Sequence, residues 1–212
     1  MRFWQCILFA AAALAVALVP TSSQAQSGVV SAGFEIGTSG SSYASFGGTS
    51  FIKARGQTFT ATVSGQLMSV ALRAGLSQAS DSTVRISVHA LDENGLPEQP
   101  PLGSADFSAD LLPIEPVEDV VVFDMQPTTA QLTAGVEYAI TMVIDPIDPA
   151  PAPFYLNGRG RDSPDYEGGV GLQTFDGVVW ERRPNGDHHF EVRVDDTVSH
   201  DHQSFGRTKA EF

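Results

Sequence analysis

Between Thr83 and Leu91 the chain reads TVRISVHAL. Val84, Ile86, Val88 and Ala90 fall on one side of an extended strand and Thr83, Arg85, Ser87 and His89 on the other, a two-residue period that belongs to strands and not to helices. The period returns in EYAITMVI, where Tyr138, Ile140, Met142 and Ile144 share a face, and in HFEVRV, where Phe190, Val192 and Val194 oppose His189, Glu191 and Arg193. Beyond Ala25 no stretch of a dozen residues carries a convincing apolar stripe at helical spacing. Short alternating segments separated by Gly, Pro, Asn and Asp predict an antiparallel all-β domain.

Several further segments take their place in that frame. Gly28 to Gly37 reads as a first strand, and Gly40 to Gly48 as a flexible link whose Tyr43 and Phe46 cover one end of the core. Gln57 to Ala61 is followed by Gly65 to Ala74, in which Met68, Val70 and Leu72 share a face. Asn94-Gly95 marks a turn, because glycine readily takes a positive φ. Ser104 to Leu112 reads as a strand with Phe107 and Leu111 in the core, and Val120 to Met125 as another. Asp145 to Pro153 cannot extend a ladder, since prolines lack the amide hydrogen. About eight strands with long proline-bearing crossings favour a β-sandwich of jelly-roll type over an up-and-down barrel. His89 reads as a solvated strand residue.

The first 25 residues stand apart. Arg2 precedes an unbroken apolar run from Ile7 to Val19, and Ser23-Gln24-Ala25 follows with small residues where a signal peptidase reads. The run is shorter than the roughly 20 residues of a membrane span, so residues 1–25 are expected to be a cleaved secretory signal and the protein to be secreted or periplasmic. Residues 26–195 then form a single domain and 196–212 a polar tail. Cleavage removes the only cysteine, Cys6, so the exported chain holds together without disulfides. The whole chain carries a net charge of −13, and losing Arg2 makes it more acidic still. Such a balance argues against nucleic acid or anionic lipid as a partner, since both reward positive charge. No membrane insertion is expected.

The order of pieces resembles the small jelly-roll domains of exported bacterial proteins, which are similar to carbohydrate-binding modules. The resemblance rests on Gln57-Thr58-Phe59-Thr60-Ala61, Gly65 to Leu72, Val84 to Leu91 with Asn94-Gly95-Leu96-Pro97, and Leu132-Thr133-Ala134-Gly135 with Tyr138. It continues through Asn157-Gly158, Tyr166-Glu167-Gly168-Gly169, Trp180 and Asp187 to Val192. It implies a non-catalytic accessory or adhesive unit and brings no catalytic motif.

Sugar recognition combines an aromatic ring, which stacks on a pyranose, with planar hydrogen-bonding side chains beside it. Tyr155, Tyr166, Phe175 and Trp180 are the candidate rings, with Asn157, Arg159, Arg161, Asp162 and Asp165 as polar neighbours. Trp180 alternates with Val178, which favours the core for it, and Tyr155 is in the same position. Tyr166, between Asp165 and Glu167, reads equally as exposed or buried. Calcium is the candidate cofactor: Asp162 and Asp165 are close enough to share an ion, and Asn185 with Asp187 joins them if the two turns meet. Asp145 and Asp148 form another pair.

Catalysis has little in its favour. Among 25 Asp and Glu residues some pair falls within glycosidase distance by chance. Ser199-His200-Asp201 are adjacent in the tail, where a relay does not form, and no Gly-x-Ser-x-Gly elbow is present. The sequence therefore leads to a secreted, non-catalytic protein that binds glycan or cell-surface material. The alternatives are a structural matrix or assembly component that uses its sheet edges or faces, and a hydrolase of unrecognised type.

Overall fold

The computed structural model describes residues 28–37, 42–48, 50–115, 119–145, 154–158, 166–184 and 186–195. The expected signal, the tail and most of the proline-rich segment after Asp145 lie outside these residues.

Thirteen strands occur among the described residues: β1 (Val29–Phe34), β2 (Ser42–Phe46), β3 (Ala54–Thr60), β4 (Gly65–Leu76), β5 (Thr83–Ala90), β6 (Gly103–Ser108), β7 (Asp119–Asp124), β8 (Gln131–Leu132), β9 (Glu137–Asp145), β10 (Phe154–Gly158), β11 (Gly171–Thr174), β12 (Trp180–Arg183) and β13 (Phe190–Asp195). They form two antiparallel sheets packed face to face as an all-β sandwich. One sheet has six strands in the order β12-β11-β3-β9-β5-β6. The other has seven and is built around β4, with β13 and β10 following one another along one side and β8 and β7 along the other.

The inward sets of the alternating strands make the core. Val84, Ile86 and Val88 from β5 and Tyr138, Ile140, Met142 and Ile144 from β9 meet Val70, Leu72, Phe190, Val192 and Val194 from the opposite sheet. Each such side chain, once fully buried, contributes about 1.5–3 kcal/mol.

Four local expectations give way, each for a physical reason. The strand count exceeds about eight because glycine-punctuated segments read as links or loops find partners; the Gly40 to Gly48 link contains β2, which pairs with β10 in continuous register. Phe46 is in the core as expected, but Tyr43 is exposed and stands edge-on to Tyr155. In β4 the inward phase belongs to Leu67 and then to Val70, Leu72 and Ala74, because the register against β13 shifts between Arg193 and Val194 and makes Met68 the extra residue of a bulge. Finally, β6 stops at Ser108, whose hydroxyl accepts from the Asp110 amide and caps a short 3-10 turn at Ala109–Leu111. The turn throws Leu111 out to solvent and brings Leu112 into the core instead.

Candidate ligand-binding groove

The outer face of the six-stranded sheet is where polar side chains, an aromatic ring and open space coincide. Antiparallel partners put directly opposite side chains on one face. The register sets Ser87 of β5 against Ser104 of β6 and Thr141 of β9, with Arg85 against Asp106 and Val143. These residues face away from the core. A groove of about 460 Å³ runs over them, closed at one side by Trp180 and Gly177 and at the other by Gln99 and Pro101.

His89 forms part of the floor and is not solvated as its strand position suggests. The connection after Pro97 folds back across the outer face: the Glu98 amide donates to the Ala90 carbonyl and the Leu102 amide to the Val88 carbonyl. His89 is thereby 3 % exposed. Its Nδ1 donates to the Glu98 carbonyl at 2.8 Å, which leaves Nε2 to accept from the Thr141 hydroxyl at 3.0 Å. Those two bonds fix a single neutral tautomer. Burial lowers the His89 pKa, against a smaller opposing pull from the Glu98 carbonyl. Ser87 and Ser104 hydrogen-bond to one another beside it.

At the rim, Arg85 and Asp106 form a two-pronged pair at 2.7 and 2.9 Å. That hydrogen bonding holds the Asp106 carboxyl below its ordinary value and raises Arg85. Asp145 lies 3.9 Å from the same guanidinium. Across the groove, Trp180 packs on Ala54, Ala139 and Leu172 with Leu91, Leu96 and Val143, a second apolar cluster on the outer face. The groove thus has one apolar wall, a hydroxyl-bearing floor and a planar charged rim. His89 and Thr141 have the composition of a base and its nucleophile. The hydroxyl, however, belongs to a residue only 1 % exposed, and a main-chain carbonyl orients the ring.

The residues singled out from the sequence fall in separate places. Trp180 is 7 % exposed; it is buried as its alternation suggests, but on the outer face and at the groove, while Val178 is exposed at a hairpin tip with Phe175. Tyr155 is on the outer face of the other sheet, buried against Gly75, whose missing side chain makes room for the phenol. Tyr166 is half-buried against the core, tilted to Phe34 and edge-on to Phe190 with ring centroids at 5.5 and 5.3 Å. Asn157 is placed by its backbone in β10, opposite Tyr43. Arg159, Arg161, Asp162, Asp165 and Asn185 lie outside the described residues.

Asp187 does meet Tyr166. Its Oδ2 accepts from the Tyr166 amide at 2.8 Å and its Oδ1 from Gln57 Nε2 at 2.9 Å. Both oxygens of this buried carboxylate are therefore spent on protein donors that tie the Tyr166 segment to β3. Among the described residues no three His, Cys, Asp or Glu side chains converge, and no helix is long and apolar enough to cross a membrane.

Sequence reasoning missed the groove because it recognised Arg85, Ser87 and His89 as outward-facing and took outward for solvated. The usable signal was chemical: the outward positions of β5 and β9 hold His, Ser and Thr where an ordinary wet face would hold Lys and Glu. No family model and no curated protein matches the chain.

Proposed function

We propose that the protein is a non-catalytic glycan-binding protein of the cell exterior, and that the outer face of the six-stranded sheet is its binding surface. The observation that carries this reading is the groove itself. Val143 and the exposed margin of Trp180 form an apolar wall against which the C–H face of a pyranose can lie. Ser87, Ser104 and the Arg85–Asp106 pair supply donors and acceptors opposite it, the mixture a polyhydroxylated ligand needs. The floor is already satisfied internally, so an incoming hydroxyl meets fixed, preorganised partners at the rim. Export follows from residues 1–25, and the jelly-roll connection from the resemblance of the ordered segments; calcium stays a candidate through Asp162, Asp165 and Asn185.

The test is a glycan array probed with the full chain, with and without calcium. Weak, selective binding is expected, and it should disappear in Ser104→Lys, which fills the groove from an exposed position without touching the core. No binding under either condition by a folded sample would sink the proposal. A melting curve unmoved by chelator would remove structural calcium from it.

A further inference from the structure

Sheet edges offer unpaired backbone groups, and most proteins blunt them with bulges, charges, prolines or covering chain. Most of the edges here are blunted. The outer side of β1 is bulged between Val30 and Ala32 and taken up by the Thr62 and Val63 amides, which donate to the carbonyl and hydroxyl of Ser31. On β2 the Ser45 carbonyl accepts from Arg55. The exposed positions of β6 are Ser104, Asp106 and Ser108, and β12 reads Trp-Glu-Arg-Arg.

Strand β7 differs. It reads DVVVFD and pairs with β4 in unbroken register from Ser69↔Asp124 to Ala74↔Asp119, with no bulge, proline or lysine. Among the described residues β4 is its only strand partner. Val121 and Phe123 enter the core, while Val122 is 44 % exposed. Beside it runs a groove of about 320 Å³ lined by Leu111, Leu112 and Pro113 together with Val120 and Val122, and Leu111 is 53 % exposed. The turn capped by Ser108 is what puts Leu111 there.

We propose that β7 is a strand-accepting edge for an extended peptide of another protein, one with apolar residues at alternate positions and a lysine or arginine at each end. The Val120 amide is already taken by the Asp119 carboxylate, so main-chain hydrogen bonds to the rest of β7, on the side that no described strand pairs, would supply affinity, and the groove beside Leu111 and Val122 would take alternate side chains. Charge selects the occupant. Asp119 and Asp124 bracket the strand and Asp110 lines the groove, all three exposed. A second copy pairing antiparallel would set Asp119 opposite its partner's Asp124 at both ends, and like charges directly opposite are destabilising. The chain's net charge of −13 adds to that repulsion. Cationic ends turn the same carboxylates into attractions.

The experiment uses the full chain and a fluorescein-labelled heptapeptide of alternating valine and threonine with lysine at each end, read by anisotropy. Saturable binding is expected, weakened at least tenfold by N-methylating alternate amides and at least tenfold by replacing the lysines with glutamates. Val122→Lys should weaken it to the same degree with the melt unchanged. Leu111→Ser, at a still more exposed position, gives the same reading if Val122→Lys perturbs folding. Absence of binding, or binding indifferent to N-methylation, overturns the proposal. So does a dimer in sedimentation velocity that Val122→Lys dissolves, because that result gives the edge to a second copy.

Discussion

His89 and His188 are both buried, at 3 % and 2 % exposure, yet their surroundings are opposite in kind. His89 sits beneath the returning Glu98 segment with both ring nitrogens hydrogen-bonded. His188 lies just ahead of β13, and among the described residues neither of its ring nitrogens has a hydrogen-bond partner. What holds it there is its main chain. The His188 amide donates to Gln57 Oε1 at 2.9 Å while Gln57 Nε2 donates to Asp187, so residues 187 and 188 clamp one amide between them and the imidazole is carried in behind. Burial takes the His188 pKa down to about 3, and Arg55, Arg183 and His189 push it the same way. His189 in turn lies 3.6 Å from Glu35. Burial alone does not mark a built surface; the satisfaction of the buried groups does.

The largest expected effect follows from His188 and acid. An unfolded chain takes up this proton near the ordinary 6.5, whereas the folded protein resists until about 3. The unfolded state therefore binds more protons throughout that window. Stability is complete above about 6.5 and falls as the pH drops, by about 1.4 kcal/mol per unit. Urea unfolding at pH 7.5 and at pH 4.5 should show the wild type losing about 2–3 kcal/mol more than His188→Met. The carboxylates titrate alike in both proteins, so the difference isolates the imidazole. Parallel losses would mean that His188 is wet or partnered in solution.

The same contrast can be broken at neutral pH. Replacing His89 by leucine leaves the Thr141 hydroxyl and the Glu98 carbonyl without their partner, which costs about 1–3 kcal/mol. Replacing His188 by methionine removes two buried polar atoms that have no hydrogen-bond partner among the described residues, and stability should hold or rise. Equal costs in a denaturant titration would erase the distinction between a satisfied floor and an unsatisfied imidazole.

How far this was legible in advance depends on the face of each strand. The inward sets of β5, β9 and β13 are readable because burying one face imposes a period of two, and all the residues named from that period except Ala90, at the end of β5, lie in the core. Outward faces were not readable in the same way. Alternation says that Arg85, Ser87 and His89 leave the core, but not that a connection around Pro97 returns to roof one of them. Unbroken alternation puts Met68 on the face of Val70 and Leu72, but a bulge advances the phase by one residue, and that shift is set by pairing with β13, more than a hundred residues away. Alternation with Val178 points Trp180 toward the core, but it is buried on the outer face instead, and local alternation cannot say on which side of a sheet a residue falls. The aromatic and acidic residues around Asn157 to Glu167 matched a binding loop only by composition. Of the candidates there that the structure describes, Tyr155 covers Gly75 and Tyr166 packs edge-on against Phe190.

The smallest effect on stability belongs to the groove rim. Arg85 and Asp106 are both about half exposed, and a solvated pair of this kind contributes about 0–1 kcal/mol despite its good geometry. Arg85→Gln should shift the denaturation midpoint little, while glycan binding, if the groove is the site, falls at least tenfold. His188→Met should do the reverse, moving the acid limb of stability and leaving binding at neutral pH unchanged. Stability and binding would then separate along the line between the two regions, the rim serving a ligand and the surroundings of His188 serving the fold. An Arg85→Gln protein that binds as well as the wild type would place the ligand elsewhere than the groove, and one that unfolds would show the rim to be structural after all.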